Sequence, residues 1–386
     1  MRCVLVGPSA PLRGGLAIDN DARARALRDA GHEAITVGFS RLYPTLFFPG
    51  KSQHINDAEQ TDLLAPPGID SINPLSWLRT AYSIIERRPD VVTFQWWHPF
   101  FFPCYVTILH LLKKHLANCA RILISHHARP HESIIGQDTA VRTIAKRCTD
   151  IVAYSESDAA VIRFLAPDRN IHIQDYPLLQ DLPPKLVKKD AQQSLKLKGR
   201  VLLFFGYVRP YKGLHMLLEA LALVSRSLDL SLLVAGEFYM DEGATHRLID
   251  QLGLRERVHI VNRYINQSEW AKMFGASDAL ILPYLRASQS MTIPLAYGFG
   301  TPVIATRVGG FSQVIEHGKT GVLADPTPES LARAIKEFYT NFLSADNSEA
   351  ILTKRQEFGW QPFVNLLENT ILHNSGSDHT TTDPVP

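Results

Sequence analysis

Residues 204–221 read FFGYVRPYKGLHMLLEAL, and this stretch decides the fold of the second half of the chain. An apolar strand ends at Gly206, and an apolar helical pattern starts near Gly213. A strand, a short loop and a helix form the repeating unit of a parallel sheet that is covered by helices. The loop also carries two cations, Arg209 and Lys212, at the carboxyl end of the strand.

The same alternation runs through both halves of the chain. Short apolar runs predict strands at Cys3–Gly7, Glu33–Phe39, Val91–Gln95, Ile122–Ser125 and Ile151–Tyr154, and again at Val201–Phe205, Leu230–Ala235, Val258–Val261, Ala279–Leu282 and Val303–Thr306. Amphipathic runs between the strands predict helices. The sequence therefore predicts an α/β protein with two Rossmann-like, doubly wound parallel-sheet domains that face a central cleft.

These patterns divide the chain into five parts. Residues 1–180 are predicted to form the first Rossmann-like domain, and a Pro- and Lys-rich linker follows over residues 181–199. Residues 200–355 form the second domain, and a helix over residues 356–373 packs back toward the first. The tail, residues 374–386, has no apolar anchors and is expected to be disordered.

The composition is that of a globular protein. The chain has 386 residues, of which 45% are hydrophobic and 20% charged, with a formal net charge of +2. This length exceeds what one core usually supports. The near balance of charge gives no reason to expect nucleic acid as a partner.

Targeting features are consistent with a cytoplasmic protein. The 4 cysteines have neither metal-ligand nor redox spacing, so reduced thiols are expected. The N-terminal apolar run is too short for a secretory signal. The apolar stretch over residues 99–112 is shorter than the roughly 20 residues of a membrane-spanning helix. We therefore expect at most peripheral attachment to the inner face of a membrane.

The loop with Arg209 and Lys212 is a candidate anion site. Arginine offers a fork of donors to phosphate oxygens, and lysine offers a mobile point charge. Two cations beside a helix N-terminus suit a diphosphate. From spacing alone, a solvated loop on an ordinary strand-to-helix connection explains them equally well.

A second region favours the functional interpretation. A strand over Ala279–Leu282 leads into a segment in which Ser288 or Ser290 is a good N-cap for a helix to about Phe299. Amides near Ser290, Met291 and Thr292 would then point at an anion. Both loops are expected at the same edge of one sheet.

The motifs of this half together resemble a known family. They are GYVRPYKGL (206–214), VAGEFY (234–239), SDALILPY (277–284) and GTPVIATRVGG (300–310). The pattern is similar to glycosyltransferase family 4, also called glycosyl transferases group 1. The resemblance covers most of the second domain and, more loosely, the first. It implies a metal-independent, retaining enzyme of GT-B fold that uses nucleotide sugars.

The resemblance also implies roles for residues of the second domain. Lys212 matches the lysine that holds the donor diphosphate, and Gly206 lies in the same loop. The family's usual arginine falls on Tyr207, so Arg209 is a plausible substitute. The turn that contains Glu237 is implied to lie near the nucleotide base, and the loop with Asn262 and Arg263 flanks it.

The family's Glu-x7-Glu motif is absent. Its two glutamates fall on Ala287 and Leu295, neither of which can accept hydrogen bonds from ribose hydroxyls through its side chain. Gln289 and Ser290 could contact the donor instead. The chain resembles a subset of the family that lacks the motif.

In the first domain, two strand ends are candidates for contact with the substrates. Gly14 and Gly15 precede a helix and allow a ligand close to the backbone, although a plain tight turn is the alternative. The resemblance places this turn beside the transferred sugar and the acceptor. It also gives His126 a catalytic contact with the donor sugar near the reacting carbon. His127 is the alternative histidine and a candidate acceptor contact, and His131–Glu132 follow.

Aromatic groups of the first domain bear on the acceptor. Trp96, Trp97 and His98 follow a strand and could line an acceptor site, but packing in the core explains them somewhat better. If exposed, Tyr43, Phe47 and Phe48 could hold a lipid carrier or the membrane surface.

No cofactor or metal is expected. Asp19-Asn20-Asp21 formally matches the Asp-x-Asp metal motif of other glycosyltransferases, but acidic residues at a helix start are more often structural. The nucleotide diphosphate sugar serves as co-substrate, and the acceptor is expected to be a glycan or lipid-linked. A GT-B phosphorylase or epimerase, or a non-catalytic protein that binds nucleotide sugar or glycan, stays open.

Overall fold

The computed structural model describes residues 1–44, 50, 52–54, 68–129, 134–225, 228–239, 241–345 and 347–376. The chain forms two compact units. The first unit contains Met1–Gln174 together with the C-terminal residues from Trp360 onward, and the second unit contains Asp175–Gly359.

The first unit is built on a six-stranded parallel sheet. Its strands are β1 (Arg2–Val6), β2 (Glu33–Val37), β5 (Val91–Trp96), β6 (Ala120–Ser125), β7 (Asp150–Ala153) and β8 (Asn170–Ile173), in the order β2-β1-β5-β6-β7-β8. A separate short pair joins β3 (Phe39–Arg41) and β4 (Ile69–Asp70). The helices are α1 (Gly15–Asp29), α2 (Pro74–Glu86), α3 (Phe102–His115), α4 (Gln137–Ala145) and α5 (Glu156–Leu165).

The second unit repeats this plan. Its strands are β9 (Arg200–Phe205), β10 (Leu230–Ala235), β11 (Val258–Val261), β12 (Ala279–Leu282), β13 (Val303–Thr306) and β14 (Gly321–Ala324), in the order β11-β10-β9-β12-β13-β14. The helices are α6 (Lys188–Leu195), α7 (Leu214–Leu223), α8 (Glu242–Gln251), α9 (Gln267–Ala276), α10 (Thr292–Gly298), α11 (Phe311–Val314), α12 (Pro328–Glu337) and α13 (Ser348–Glu357). Numbered within the unit, the strand order is 3-2-1-4-5-6, that of a Rossmann fold.

Burial explains why these residues form central strands. All six residues of β6 and all four of β12 are buried. Strands covered on both faces by helices need continuous apolar runs instead of alternating ones. The predicted fold class is therefore confirmed: an α/β chain with parallel sheets in two Rossmann-like units.

The strand order also locates a switch point in the second sheet. β9 pairs with β10 on one side and β12 on the other, with Leu202 opposite Ala279. The connections leaving β9 and β12 therefore diverge at their carboxyl ends, where open α/β sheets bind ligands.

Two segments differ from the predicted organisation. Residues 181–199 belong to the second unit and contain α6, whose buried Ala191 faces the close-packed Gly275 of α9. The last helix, α14 (Gln361–Gly376), belongs to the first unit and extends three residues into the predicted tail. Residues 377–386 lie outside the described part of the chain.

Candidate anion site and a buried network around Asp19

Lys212 lies in the turn Pro210–Lys212, which follows β9 and leads into α7. Gly206, the first residue after the strand, has φ of +90°, and a Cβ built there would stand 3.2 Å from the Lys212 Nζ. The ammonium is therefore held against the backbone of the strand end. A glycine at this position provides both the positive φ and the space.

The Lys212 side chain is buried without a countercharge. Its exposed fraction is 8%, and no described residue gives it a hydrogen bond or ion pair. The ring of Tyr284 lies 5.6 Å from its Nζ. Burial lowers the pKa of Lys212, and nearby Arg209 adds to this, while Tyr211 opposes it. An unpaired buried cation is costly, so the site favours an anionic ligand.

Close backbone contacts join this loop to the one after β12. Gly213 has φ of +69°, and a Cβ built on it would stand 2.0 Å from the Pro283 carbonyl oxygen. The Leu285 amide donates to the Tyr211 carbonyl at 2.8 Å. The structure thus brings together the two loops that the sequence placed at one sheet edge.

Hydroxyl groups cluster beside the lysine. The Ser290 and Thr292 hydroxyls are 2.7 Å apart, and the Tyr284 hydroxyl bonds to both. Burial raises the pKa of Tyr284 to about 12, although these two bonds oppose the shift. Ser290 was predicted as an N-cap. Its hydroxyl accepts from the Thr292 amide at 3.4 Å, a long contact, and Met291 occupies the cap position.

Other predicted donor contacts hold the fold together. The Gln289 amide donates to the Gly310 carbonyl at 3.3 Å. Asn262 accepts from the Phe238 amide at 3.0 Å and donates to Glu242 at 2.6 Å. These hydrogen bonds connect the loops around the site.

Arg263 and Glu237, which are predicted to lie near the nucleotide base, are two further candidates for donor contacts. Arg263 makes a bidentate ion pair with Glu269, at 2.6 and 2.5 Å, so its guanidinium is already engaged. Glu237 is 2% exposed, in the turn after β10. Arg263 is exposed and Glu237 is buried, and their contacts with the donor stay predictions.

Arg209 is exposed and lies over a tyrosine that the sequence analysis missed. Its guanidinium carbon is 5.1 Å from the ring centre of Tyr239. Tyr239 stacks on Tyr207 at 4.5 Å, and Tyr264 lies 6.2 Å from Tyr207. Each tyrosine follows the end of β9, β10 or β11, and this shared position was the signal that could have revealed the cluster.

The first unit presents a different arrangement at its sheet edge. Gly14 has φ of 115° and precedes α1, which begins at Gly15 without a side-chain cap. His126 follows β6, but only 2% of it is exposed. Its Nε2 lies 3.9 Å from Asp19, and its ring lies 5.5 Å from that of Tyr154. Burial, Arg23 and His127 lower its pKa well below the ordinary value.

Asp19 is the centre of a buried network that the sequence analysis did not find. It accepts from Arg23 at 2.8 and 3.1 Å and from Gln95 at 2.9 Å. Arg23 also donates to the Tyr154 hydroxyl, and its guanidinium carbon lies 4.5 Å from the ring centre of Phe363 in α14. The Asp-x-Asp segment thus supplies an ion pair, and no three potential ligands cluster for a metal among the residues described.

The residues predicted to contact the acceptor differ in exposure. Trp96 is 1% exposed in the hydrophobic core, as the alternative of core packing requires, and the acceptor contacts stay predictions. Trp97 is partly buried and donates to the Tyr43 hydroxyl at 3.0 Å. His98 accepts from the Phe100 amide at 3.1 Å and caps a short helical turn. His127 is half-buried.

Four predicted residues lie outside the described part of the chain: Phe47, Phe48, His131 and Glu132. Among the helices that the structure does describe, none is long and apolar enough to span a bilayer.

Known proteins resemble this chain in sequence and in fold. Residues 199–341 match the family model described as "Glycosyl transferases group 1". Relatives include a D-inositol 3-phosphate glycosyltransferase from Pseudarthrobacter chlorophenolicus, 31% identical over 48% of each chain, and the D-rhamnosyltransferase WbpZ from Pseudomonas aeruginosa, 32% identical over 38% of this chain and 39% of the relative. The chain spans about half the length of the curated relatives it matches.

Solved structures show the same fold. Anabaena HepE, solved in complex with UDP-glucose, is 18% identical with a TM-score of 0.71, covering 98% of this chain and 100% of its own. A sucrose-phosphate synthase from Thermosynechococcus elongatus is 16% identical with a TM-score of 0.72, again over 98% and 100%. The fold is that of GT-B glycosyltransferases, and the resemblance to glycosyl transferases group 1 is confirmed for residues 199–341.

Proposed function

We propose that this protein is a retaining, metal-independent glycosyltransferase that moves a hexose from a nucleoside diphosphate to an acceptor hydroxyl. The observation that carries the proposal is the buried Lys212 ammonium, which no described residue neutralises. A pyrophosphate would supply the missing negative charge. HepE, which has a similar fold, forms complexes with UDP-glucose and with UDP, and this supports a nucleotide sugar as co-substrate.

The reaction breaks the bond between the anomeric carbon and the diphosphate. Negative charge grows on the leaving group, and Lys212 stabilises it because the ammonium is fixed in place before the reaction. Arg209 and the amides near Ser290 add donors. The acceptor oxygen bonds to the anomeric carbon on the leaving-group face, and its proton goes to the departing diphosphate, so the configuration is retained.

The acceptor is a glycan or lipid-linked hydroxyl, in glycan, polysaccharide or glycolipid synthesis. The two relatives differ in their names, one for an inositol phosphate acceptor and one for the transfer of D-rhamnose. This difference supports a shared transfer chemistry whose sugar and acceptor vary from protein to protein.

Calorimetric titration of a nucleotide panel tests the anion site. UDP, ADP and GDP are compared with the matching nucleosides. We expect one diphosphate to bind at least about tenfold tighter than its nucleoside, and Lys212→Met to abolish that preference. Lys319→Met is the matched control, because Lys319 is exposed and paired with Glu316. Equal affinity for nucleoside and diphosphate in the wild type would contradict the site.

Turnover separates an enzyme from a binding protein. The matching nucleotide sugar is incubated with a panel of glycan and lipid-linked acceptors, and the product's anomeric configuration is read by NMR. We expect retention, unchanged by a metal chelator. Ala287 and Leu295 motivate the second candidate, a non-catalytic binder, since neither offers a side-chain carboxylate to a donor. Tight binding without transfer to any acceptor would favour that candidate.

A further inference from the structure

Helix α2 leaves an apolar stripe exposed. Leu75, Leu78 and Tyr82 are 62%, 39% and 49% exposed, and their spacing of three and four residues places them on one helical face. The opposite face, with Ala81 and Ile84, is buried in the core. Single exposed apolar side chains are ordinary, whereas a contiguous row on one helix marks an interaction surface.

The helix is held firmly in this orientation. The Asn73 side chain caps its first turn by accepting from the Leu75 amide at 3.1 Å, and Pro74 occupies the first helical position. Both features favour a helix that begins at this point. The stripe is therefore a defined surface.

Basic groups flank the stripe. Arg79 lies on the same exposed face of α2. The neighbouring helix α3 ends in exposed Lys113, Lys114 and His115, and the His115 ring lies 6.2 Å from that of Tyr82. Arg79, Lys113 and Lys114 form no ion pair with a described residue. α3 contains no acidic residue, and α2 contains only Glu86.

We propose that this α2–α3 surface, formed by Leu75, Leu78, Tyr82, Arg79, Lys113 and Lys114, binds the protein to an anionic lipid bilayer. A row of apolar side chains with unpaired cations beside it is complementary to acyl chains beneath negative headgroups. A protein partner would need acidic and apolar groups at matching positions, whereas a bilayer has no such requirement. The inference stands apart from the proposed glycosyl transfer.

Vesicle sedimentation tests the surface with the full chain. Vesicles of phosphatidylcholine alone are compared with vesicles containing about 30% phosphatidylglycerol, at about 50 mM and about 500 mM salt. We expect binding only to the anionic vesicles, weakened at least about tenfold at high salt because the cations are exposed. Absence of binding, or equal binding to both vesicles, would overturn the proposal.

Variants separate the two parts of the surface. Leu75→Ser with Leu78→Ser should weaken binding to anionic vesicles at least about tenfold through lost apolar burial. Lys113→Gln with Lys114→Gln should weaken it by about fivefold per charge and reduce the salt dependence. The matched control is Phe164→Ser on α5, where a 78% exposed side chain neighbours Arg163, already paired with Glu156. It should bind like the wild type.

Two further measurements test whether unfolding or dimerisation causes a change in vesicle binding. Circular dichroism should show unchanged thermal midpoints for the surface variants, because every substituted side chain is exposed. Analytical ultracentrifugation should show the same oligomeric state for the wild type and the leucine variants. A dimer that the leucine substitutions dissociate would replace the bilayer with a second copy of the chain and overturn the inference.

Discussion

Each unit buries a cation near the carboxyl edge of its sheet, and the two cations are treated in opposite ways. Arg23 of the first unit is 1% exposed and Lys212 of the second is 8% exposed. Arg23 is paired with Asp19, bonded to Tyr154 and stacked on Phe363. Lys212 has only the Tyr284 ring nearby and no described countercharge. Burial alone therefore does not indicate a binding site, and the missing partner is what distinguishes Lys212.

The largest expected effect comes from breaking the paired site. Arg23→Met leaves the Asp19 carboxylate buried without its cation, and we expect the free energy of unfolding to fall by about 3–5 kcal/mol. Urea unfolding followed by circular dichroism measures the loss. Arg25→Met, two residues further along the same helix and exposed, is the control and should cost little. Equal losses in both variants would show that Arg23 is not specially held.

Removing the unpaired cation should have the opposite effect on stability. Lys212→Met eliminates a buried charge that no described residue compensates, so the free energy of unfolding should be unchanged or higher. Turnover should nonetheless fall by about 10²–10³-fold, as expected for the loss of one charge-stabilising donor. Urea unfolding and steady-state kinetics on one preparation measure both quantities. If the variant were less stable than the wild type and kept a normal kcat, Lys212 would be a structural residue and not part of an anion site.

Asp21 on α1 makes the stability of the protein depend on pH. Asp21 accepts from the Ala10 amide at 2.9 Å, and burial raises its pKa from 3.8 to about 6, despite opposition from that bond and from Arg25 and Arg28. The folded state then binds more protons than the unfolded state between these values, so stability falls as pH rises from about 4 through about 6.

Asp21→Asn should remove this loss. We expect the variant to gain about 1–2 kcal/mol over the wild type at about pH 7, and little at about pH 4, since the shift corresponds to at most about 3 kcal/mol and partial exposure reduces it. Urea unfolding at the two pH values measures the difference. A constant gap between the two proteins would exclude the titration of Asp21 as its cause.

The smallest effect is expected beside the lysine. Tyr284→Phe keeps the ring near Lys212 and removes only the hydroxyl, while Ser290 and Thr292 still bond to each other at 2.7 Å. We expect a loss of about 1 kcal/mol in stability, and diphosphate affinity that changes less than tenfold. Calorimetry and urea unfolding test both. If affinity falls as far as in Lys212→Met, the hydroxyl cluster and not the charge governs the site.

Four strands of the second unit were predicted with the bounds that the structure shows, among them Leu230–Ala235 and Ala279–Leu282. Ala279–Leu282 is a continuous, fully buried apolar run, because helices cover both faces of the sheet there. β8 and β14 were missed. β8 (Asn170–Ile173) is an edge strand that is exposed or half-exposed throughout, so burial gives it little apolar pattern. Edge position alone does not explain the misses, because the edge strand β11 was predicted with its observed bounds.

The candidate site was predicted unevenly. The loop with Arg209 and Lys212 was visible because its cations directly follow a strand. The network around Asp19 was not, because Gln95 and Tyr154 reach it from far along the chain: Gln95 is 76 residues from Asp19, and Tyr154 is 131 residues from Arg23. Asn262 and Arg263 lie in the loop after β11, where their side chains are bonded within the fold, and their contact with the donor stays a prediction.

By itself, the sequence determined where strands, glycines and cations occur, because apolar periodicity and backbone freedom are local properties. Helix α1 itself places Asp19 one turn from Arg23, so this ion pair is a local contact. Only the tertiary structure decided that the pair is buried, because Gln95 and Tyr154 reach it from distant parts of the chain, and that no described carboxylate reaches Lys212. The energy of a buried charge depends on the groups that surround it in space.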